Sequence, residues 1–395
     1  MKRRLHIFIM MMVMLLGTTA CGGTDEEKVD VGSNTQITDF TEQRGEMGDA
    51  FAVEVPATPT EEPTPVPAPE PTATPEPDYE DYVIEWSDAN LELMVRAQIG
   101  GIYDRDIMYS DVISVTELTI DGYDSGIPVK DIGTLSNFTN LKKLNLRMNN
   151  IVDISPLCSL NNLEELTLSN NMIQDISPLS GLINLKMLNL NGNNMLSDIS
   201  AISNLTNISD LDIGYTDVKD MTVLASLTDL KRLNLSGNEL TDISSLSAFS
   251  DLEYLGLYGN PICDMSVLCN FLNITELNLG FLGVDQQTMQ SNLVHVAQLS
   301  KLKNLNLMGN EIKDISILEG LVELESLNLM NNHVSDIGVL AQMVQMRNLD
   351  LTNNMVKDIS PLKDMKELTI LGLMGNDVTD ISALSELVNL SLIHI

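Results

Sequence analysis

The chain has 395 residues and a formal net charge of −34 at pH 7, with 44% hydrophobic but only 4% aromatic residues. So large an acidic excess argues against nucleic acids and anionic membrane surfaces as partners, because both require clusters of Lys and Arg. The low aromatic content is typical of a repeat protein rather than of a compact globular enzyme.

Residues 1–20 are predicted to be a targeting segment. Basic residues at positions 2–4 precede the apolar run Leu5–Leu16, which is too short to span a bilayer and is typical of a signal peptide. The following residues, Gly17–Cys21, resemble a bacterial lipobox, although Thr18 stands where that motif most often has Leu. The resemblance implies cleavage before Cys21, a lipid on its sulfur, export, and anchoring to the bacterial membrane with display on the cell surface. Plain secretion is the alternative.

Residues 21–81 are predicted to form a disordered acidic tether. The segment lacks a hydrophobic pattern, and Pro56–Pro77 contains nine of the fourteen prolines. Such a stretch favours polyproline II, a semi-rigid spacer of about 3.1 Å per residue.

Residues 82–114 are predicted to form a helical cap. Ser87 or Asp88 would cap a first helix, and a second short helix is expected near Tyr109–Ile113. We expect Trp86 to lie in the core of this cap rather than to contact a ligand. The apolar stripe of the first helix consists of Leu91, Met94, Val95 and Ile99.

From residue 115 to the C-terminus the chain repeats one unit of 22 residues, for which Leu230–Asp251 is a good example. Apolar residues at positions one, four and six alternate as in a strand, and later apolar residues spaced by three suit one short α or 3₁₀ turn. A degenerate copy begins near Val115, and Asp121–Gly126 within it is predicted to be a polar turn. The other copies begin at Leu141, Leu163, Leu185, Ile208, Leu230, Leu252, Ile274, Leu302, Leu324, Met346 and Leu368.

Two polar columns run through the copies. Asn at position nine is predicted to bond backbone groups at a buried corner, where water cannot reach. An Asp column before each helical turn is predicted to cap that turn rather than to bind metal, with Ser155, Ser177 and Ser360 as N-caps followed by Pro. The Asn column comprises Asn149, Asn171, Asn193, Asn238, Asn260, Asn310, Asn332, Asn354 and Asn376.

The pattern LxxLxLxxNxIxDIxxLxxLxx resembles the internalin-type leucine-rich repeat of bacteria. The resemblance implies an α/β solenoid shaped as a right-handed horseshoe, with a parallel β-sheet on the concave face and short helices or 3₁₀ turns on the convex face. It also implies that the concave face binds a ligand.

Two copies depart from the pattern. Thr216 and Leu282 replace the Asn of position nine, and the copy from Ile274 has six additional residues. The longer return, Asp285–Ser300, carries a helical stripe. We expect a longer convex helix there, and a change of local curvature is a compatible alternative. The stripe consists of Met289, Leu293, Val296 and Leu299.

The variable positions of the concave face hold a run of aromatic and Met residues from the fourth full copy onward. Such residues give a large contact area at low entropic cost, so they are candidate ligand-binding residues. The alternative is that they only cover the sheet. If they bind, Tyr258→Ala with Phe281→Ala is expected to abolish binding and leave the melting transition nearly unchanged. The candidates are Tyr215, Tyr254, Tyr258, Phe281, Met308, Met330 and Met374.

No catalytic, metal-binding or cofactor-binding motif is present. The four histidines lack metal-ligand spacing and an evident Cys or Ser partner. Cys158, Cys263 and Cys269 are expected to be free thiols, with a disulfide between Cys263 and Cys269 as the minor alternative. The chain is therefore predicted not to be an enzyme.

The array stops at residues 390–395 without a polar cap, whereas solenoids need capped ends. These residues also resemble one reading frame of a transposon adapter used in sequencing libraries. We expect that they are not native and that the natural chain continues.

Together these features predict a cell-surface lipoprotein that binds a protein or glycan partner and serves in adhesion. One alternative is an envelope scaffold without a dedicated ligand. A second is the targeting region of an exported enzyme whose catalytic domain lies beyond this sequence.

Overall fold

The computed structural model describes residues 79–100 and 102–394. The predicted signal peptide, the lipidation site Cys21 and nearly all of the tether lie outside these residues. Within the described ranges, none of the helices has the length and hydrophobicity needed to cross a bilayer.

A single sheet of 13 parallel strands follows the order of the chain. Each strand has three residues and pairs with the next copy of the repeat, as Arg232 does with Tyr254 across a step of 22 residues. The offset is larger from Met187 to Asp210 and from Glu276 to Asn304, as the repeat spacing predicts. The strands are β1 (Glu117–Thr119), β2 (Lys143–Asn145), β3 (Glu165–Thr167), β4 (Met187–Asn189), β5 (Asp210–Asp212), β6 (Arg232–Asn234), β7 (Tyr254–Gly256), β8 (Glu276–Asn278), β9 (Asn304–Asn306), β10 (Ser326–Asn328), β11 (Asn348–Asp350), β12 (Ile370–Gly372) and β13 (Leu392–His394).

The opposite side of the solenoid is built from short 3₁₀ helices, which confirms the predicted solenoid. Below, the solvent-facing side of the sheet is called the concave face and the 3₁₀ side the convex face. The 3₁₀ helices are Gly133–Asn137, Ser155–Ser159, Ser177–Leu179, Ser200–Asn204, Thr222–Ser226, Ser244–Ala248, Ser266–Asn270, Ser316–Gly320, Gly338–Gln342, Ser360–Asp364 and Ser382–Glu386.

The copy with six additional residues contains an α-helix, α4 (Gln286–Val296), in place of a 3₁₀ turn. Its N-cap is Asp285, whose carboxylate accepts from Thr288 N–H at 3.0 Å. The four predicted stripe residues are all buried. The prediction of a longer convex helix is therefore confirmed.

Repeated leucines form one continuous core. Leu230, Leu233 and Leu235, at positions one, four and six of their copy, are each no more than 1% exposed. The core runs without a break from Ile84 in the cap to Leu387 near the C-terminus. Ile393 pairs in register with Leu371, so the described residues 390–394 continue the repeat, and the expectation that residues 390–395 are not native stays a prediction.

The Asn column satisfies backbone groups of two neighbouring copies, as predicted. Asn260 donates from its amide to Leu235 O and Leu257 O, both at 3.0 Å. Its Oδ1 accepts from Asn238 N–H at 3.1 Å and from Leu240 N–H at 2.9 Å. Each buried Asn thus bonds its own copy, the preceding strand and the preceding corner.

The Asn and Asp side chains at position five of the repeat have a structural role that was not predicted. Asn234 Oδ1 accepts from Ser236 N–H at 3.1 Å, and Asp212 Oδ1 accepts from Gly214 N–H at 3.0 Å. The same bond from position five to position seven recurs in other copies, for example from Asn328 to Met330. Where position five is Asn or Asp, it therefore forms an Asx turn at the end of the strand and is not a freely variable ligand position.

The Asp column does stabilise the 3₁₀ turns, but the predicted N-caps were wrong by one residue. The N-cap is Ile154, with Ser155 and Pro156 as the first two residues of the helix. Asp153 lies one residue before this N-cap, and its Oδ1 accepts from the N–H of the first helical residue, Ser155, at 2.8 Å. The apolar N-cap side chain is needed in the core, so the capping task passes to the residue before it.

The cap has the two predicted helices, α1 (Ala89–Gln98) and α2 (Tyr109–Val112). Leu91, Met94 and Val95 of α1 are buried. Trp86 packs against the continuous core, as expected. The predicted polar turn at residues 121–126 contains a single helical turn, α3 (Gly122–Ser125).

Candidate functional site

Position eight of the repeat has a left-handed backbone in copy after copy. In most copies it is Gly or Asn, which tolerate that conformation, as at Gly237 (φ 69°) and Asn331 (φ 57°). The bulky exceptions are Met148 (φ 55°), Tyr215 (φ 54°) and Phe281 (φ 50°). A large side chain there costs on the order of 1 kcal/mol in backbone conformation. Tyr215 and Phe281 are thus aromatic residues at positions that the fold alone would assign to glycine.

The aromatic rings pack directly against glycines of the following copy. A Cβ placed on Gly237 would lie 2.6 Å from Cδ1 of Tyr215, and one on Gly309 would lie 2.5 Å from Cε1 of Phe281. The Tyr258 ring covers Gly280 in the same way, with a corresponding distance of 2.7 Å to Cδ2. Because no side chain separates ring from backbone, each ring is fixed against the corner of its neighbour.

We call Tyr215, Tyr254, Tyr258 and Phe281 the aromatic cluster. Tyr258 and Phe281 meet edge to face with ring centroids 5.5 Å apart. Backbone bonds link the corners of these copies, since Tyr215 N–H donates to Ser236 O at 2.6 Å, Gly237 N–H to Tyr258 O at 2.7 Å and Gly259 N–H to Gly280 O at 2.9 Å. The structure therefore brings the four predicted aromatic residues together on the concave face.

Exposure differs sharply among the predicted site residues. Tyr258 is only 9% exposed and Met308 only 7%, so these side chains offer little area to a ligand. Met330 is half-buried, and Met374 is 52% exposed. The copy that carries Thr352 lies between these two methionines, so they do not form one continuous surface. Since Tyr258 is buried, Tyr258→Ala with Phe281→Ala would leave a cavity and is no longer expected to spare the melting transition.

An ion network covers the aromatic cluster on the strand side. The Arg232 guanidinium lies 4.5 Å above the Tyr254 ring. It pairs with Asp210 at 3.6 Å and with Glu276 at 3.5 Å. Burial, aided by the nearby charge of Asp212, raises the pKa of Tyr254 to about 12 against the opposing effect of Arg232. Tyr254 is therefore a support for Arg232, and the outer surface at this point is the guanidinium.

Burial raises the pKa of three further polar groups in this region, Tyr215, Asp212 and Asp210. Burial raises the pKa of Tyr215, and its hydroxyl is buried with no hydrogen-bond partner within the described ranges. Burial also raises the pKa of Asp212, although Gly214 N–H and the amides of Asn191 and Asn234 oppose the shift. For Asp210 burial likewise raises the pKa against Arg232.

Asp212→Asn is expected to raise the free energy of unfolding at pH 7 by about 1 kcal/mol, because it removes an unpaired charge and keeps the acceptor for Gly214 N–H. A raised pKa means that the folded chain holds the proton longer than the unfolded chain. The wild type therefore loses stability relative to the variant as pH rises through that pKa, and the difference vanishes below about pH 4. Urea unfolding across this range measures the effect, and a less stable variant at pH 7 would contradict it.

Charged residues at position two form a separate ladder along the edge of the concave face. Lys231 pairs with Glu253 at 3.4 Å, and Lys303 pairs with Glu325 at 3.0 Å. Lys186 pairs with Glu164 at 2.5 Å. These exposed pairs add little stability, but they occupy the lysines nearest to the aromatic cluster.

The cysteines in the described ranges are free, as expected. One sequence interpretation was wrong, however, because His295 does have a cysteine partner. Cys269 Sγ lies 3.4 Å from His295 Nδ1, a contact between a 3₁₀ helix and α4. Within the described residues no group of three or more His, Cys, Asp or Glu side chains could hold a metal ion.

Comparison with known proteins places the repeats in a familiar group. The family described as "Leucine Rich repeats (2 copies)" matches residues 139–181, 161–206, 228–270 and 300–342. An internalin from Listeria monocytogenes of known crystal structure is 33% identical, with 78% of this chain and 95% of that chain covered and a TM-score of 0.64.

More distant structures share the fold alone. A leucine-rich repeat protein of Leptospira interrogans is 21% identical over 72% of this chain and 86% of that chain, with a TM-score of 0.55. The crystal structure of a TDR receptor is 20% identical over 68% of this chain and 48% of that chain, with a TM-score of 0.52. A search of curated protein sequences gave no match.

Proposed function

The chain belongs to the internalin-like leucine-rich repeat proteins, and on that basis we propose that it is a non-catalytic binding protein that recognises a protein partner through its concave face. The single observation that carries this proposal is the pair Tyr215 and Phe281. Both are bulky aromatic residues at left-handed positions where every other copy except that of Met148 has Gly or Asn. Each ring adds a backbone cost at its corner, which a contact outside the chain would offset.

The aromatic cluster also has the physical character of an interface core. Rings packed against glycines lose little entropy on binding, and aromatic residues are enriched among residues that contribute most to binding energy. A scaffold without a ligand needs no such ordered patch on one section of its sheet. This favours a binding protein over an envelope scaffold.

The proposed location is the bacterial cell surface. It rests on residues 1–21, with the basic segment, the short apolar run and Cys21 at the end of the lipobox-like stretch. A lipid at Cys21 and the Pro-rich tether would hold the repeats away from the membrane, where they could serve in adhesion. Labelling with palmitate in the native host, compared between the wild type and Cys21→Ala, tests this location.

A capture experiment tests the proposed function. The immobilised full chain is incubated with extracts of host and neighbouring cells, beside a Tyr215→Asn, Phe281→Asn double variant and a Met148→Asn control. Asn suits the left-handed backbone at all three sites, so the variants remove side chains without straining the corner.

The wild type and Met148→Asn are expected to capture the same protein, and the double variant at least about tenfold less. Equal capture by the double variant would contradict a concave binding site. Capture that survives proteolysis of the extract and is lost after periodate oxidation would identify a glycan partner instead. The exported-enzyme alternative is tested separately, by reading the gene beyond codon 395.

A further inference from the structure

The strand side of the concave face carries more carboxylates than cations. Asp210, Arg232, Tyr254 and Glu276 share one register on the neighbouring strands β5 to β8. Arg232 is the cation of this set and already pairs with both Asp210 and Glu276. Asp212, two residues beyond Asp210, forms no ion pair within residues 79–100 and 102–394. Three carboxylates against one guanidinium leave two negative charges without a cation.

The surrounding cations cannot make up the difference. Lys231 and Lys186 are engaged with Glu253 and Glu164 at the edge of the sheet. Between them, position two of the Ile208 copy is the uncharged Ser209. Arg232 is held over the Tyr254 ring, where it reaches across two strands to Glu276. The negative excess is therefore a fixed property of this part of the concave face.

The charge of Asp212 is not required by the fold. Its structural task is to accept from the N–H of position seven, and Asn234 and Asn306 perform that task at 3.1 and 3.0 Å in other copies. Asp212 is half-buried, so its charge is kept at a desolvation cost that Asn would avoid. A ligand that supplies a cation would offset that cost.

Resting on the proposed function, we infer that the partner is a protein segment that places a Lys or Arg side chain against Asp210 and Asp212 and separate apolar side chains on Tyr215 and Phe281, which lie three copies apart. The cation offsets part of the negative excess of the network, and the apolar side chains cover the exposed parts of the two rings. A neutral glycan would bury the same carboxylates without compensating them, which is why the charge favours a basic peptide.

A displayed random peptide library, selected on the full chain, tests this inference. Selections are run in parallel on the wild type, on Asp210→Asn with Asp212→Asn, and on Asp350→Asn. Asp350 is a matched control, because it makes the same Asx turn on β11, with Thr352 N–H at 2.9 Å. Asn preserves that acceptor at positions 212 and 350, and Asp210→Asn removes the charge that pairs with Arg232.

Lys or Arg is expected at one fixed position among peptides selected on the wild type and on Asp350→Asn, and this preference is expected to disappear on the double variant. A synthetic peptide from the wild-type selection should bind the double variant on the order of tenfold to a hundredfold more weakly. Equal affinity for the double variant, an absence of Lys and Arg, or no selected peptide would each overturn the inference. Peptides that lack cations but lose binding to Tyr215→Asn with Phe281→Asn would overturn it and leave the proposed function standing.

Discussion

Asn260→Ala is expected to lower the free energy of unfolding by about 4 kcal/mol, among the largest effects of any single substitution in the repeats. The side chain is fully buried and takes part in four hydrogen bonds to backbone groups of three segments. Alanine would leave those four groups buried without partners, at about 1–3 kcal/mol each before relaxation and water entry reduce the total. Urea unfolding followed by circular dichroism measures the loss.

Two companion variants make the Asn260 result specific. Asn194→Ala, at an exposed position of another copy, is expected to change stability by less than about 0.5 kcal/mol. Asn260→Asp keeps the shape but turns a carboxylate toward Leu235 O and Leu257 O, so it is expected to destabilise at pH 7 at least as much as Ala. A loss below about 1 kcal/mol for Asn260→Ala would show that other groups satisfy the corner.

Asp88→Ala is expected to lower the free energy of unfolding by about 3 kcal/mol, because one carboxylate joins the cap to the first repeat. Asp88 accepts from Asn90 N–H at 2.9 Å and Leu91 N–H at 3.2 Å, and so caps α1. Its second oxygen accepts from Lys130 N–H at 2.9 Å and Asp131 N–H at 3.2 Å. Asp153→Ala, which loses one backbone N–H contact in one copy, should cost much less.

The contribution of Asp88 should also depend on pH. Burial raises the pKa of Asp88, but the four backbone N–H donors outweigh burial and leave the pKa below its usual value. A lowered folded-state pKa gives stability that is fully present above the unfolded value of about 3.9 and is lost as pH falls through the folded value. The difference between wild type and Asp88→Ala should therefore be constant from pH 7 to about pH 5 and shrink in stronger acid. A constant difference down to pH 2 would contradict this account.

The repeat register made most of the fold predictable. A constant spacing of Leu230, Leu233, Leu235 and Asn238 in each copy specifies which side chains face the core, and identical copies can bury that face only by stacking. The six additional residues before Leu302 likewise predicted α4, because a helical stripe of that length has nowhere else to pack. The spacing of residues within one copy and the number of copies were sufficient to predict these features.

Contacts between copies were harder to foresee. The bond from position five to position seven is local, but the Asn that makes it looks like any exposed polar residue. The placement of the Tyr215 ring on Gly237, and of Cys269 beside His295, joins residues 22 and 26 positions apart. Only the three-dimensional stacking of copies shows which of them touch.

The sequence did contain one usable signal for the candidate site. Position eight is Gly or Asn in most copies, so aligning the repeats with one another singles out Met148, Tyr215 and Phe281, of which the last two are aromatic. The ion network was not visible in that way. Asp210, Arg232 and Glu276 are ordinary strand residues until pairing places them side by side. The sequence likewise does not show that Asp212 is half-buried and lies close to Asp210.

If Asp212 is kept for binding, stability and function should separate at this residue. Asp212→Asn is expected to fold more stably and to bind a basic peptide more weakly. Such opposite effects are common where a binding site retains an unfavourable group.

The most direct test of the central claim is site-specific photocrosslinking from the two faces of the solenoid. Benzoylphenylalanine replaces Phe281 on the concave face in one full-length variant and Ser247, exposed on the convex 3₁₀ helix Ser244–Ala248, in another. Both are irradiated with the captured partner, and crosslinked product is measured by mass spectrometry. Crosslinks from position 281 and none from position 247 are expected, whereas crosslinks from position 247 alone would contradict recognition through the concave face.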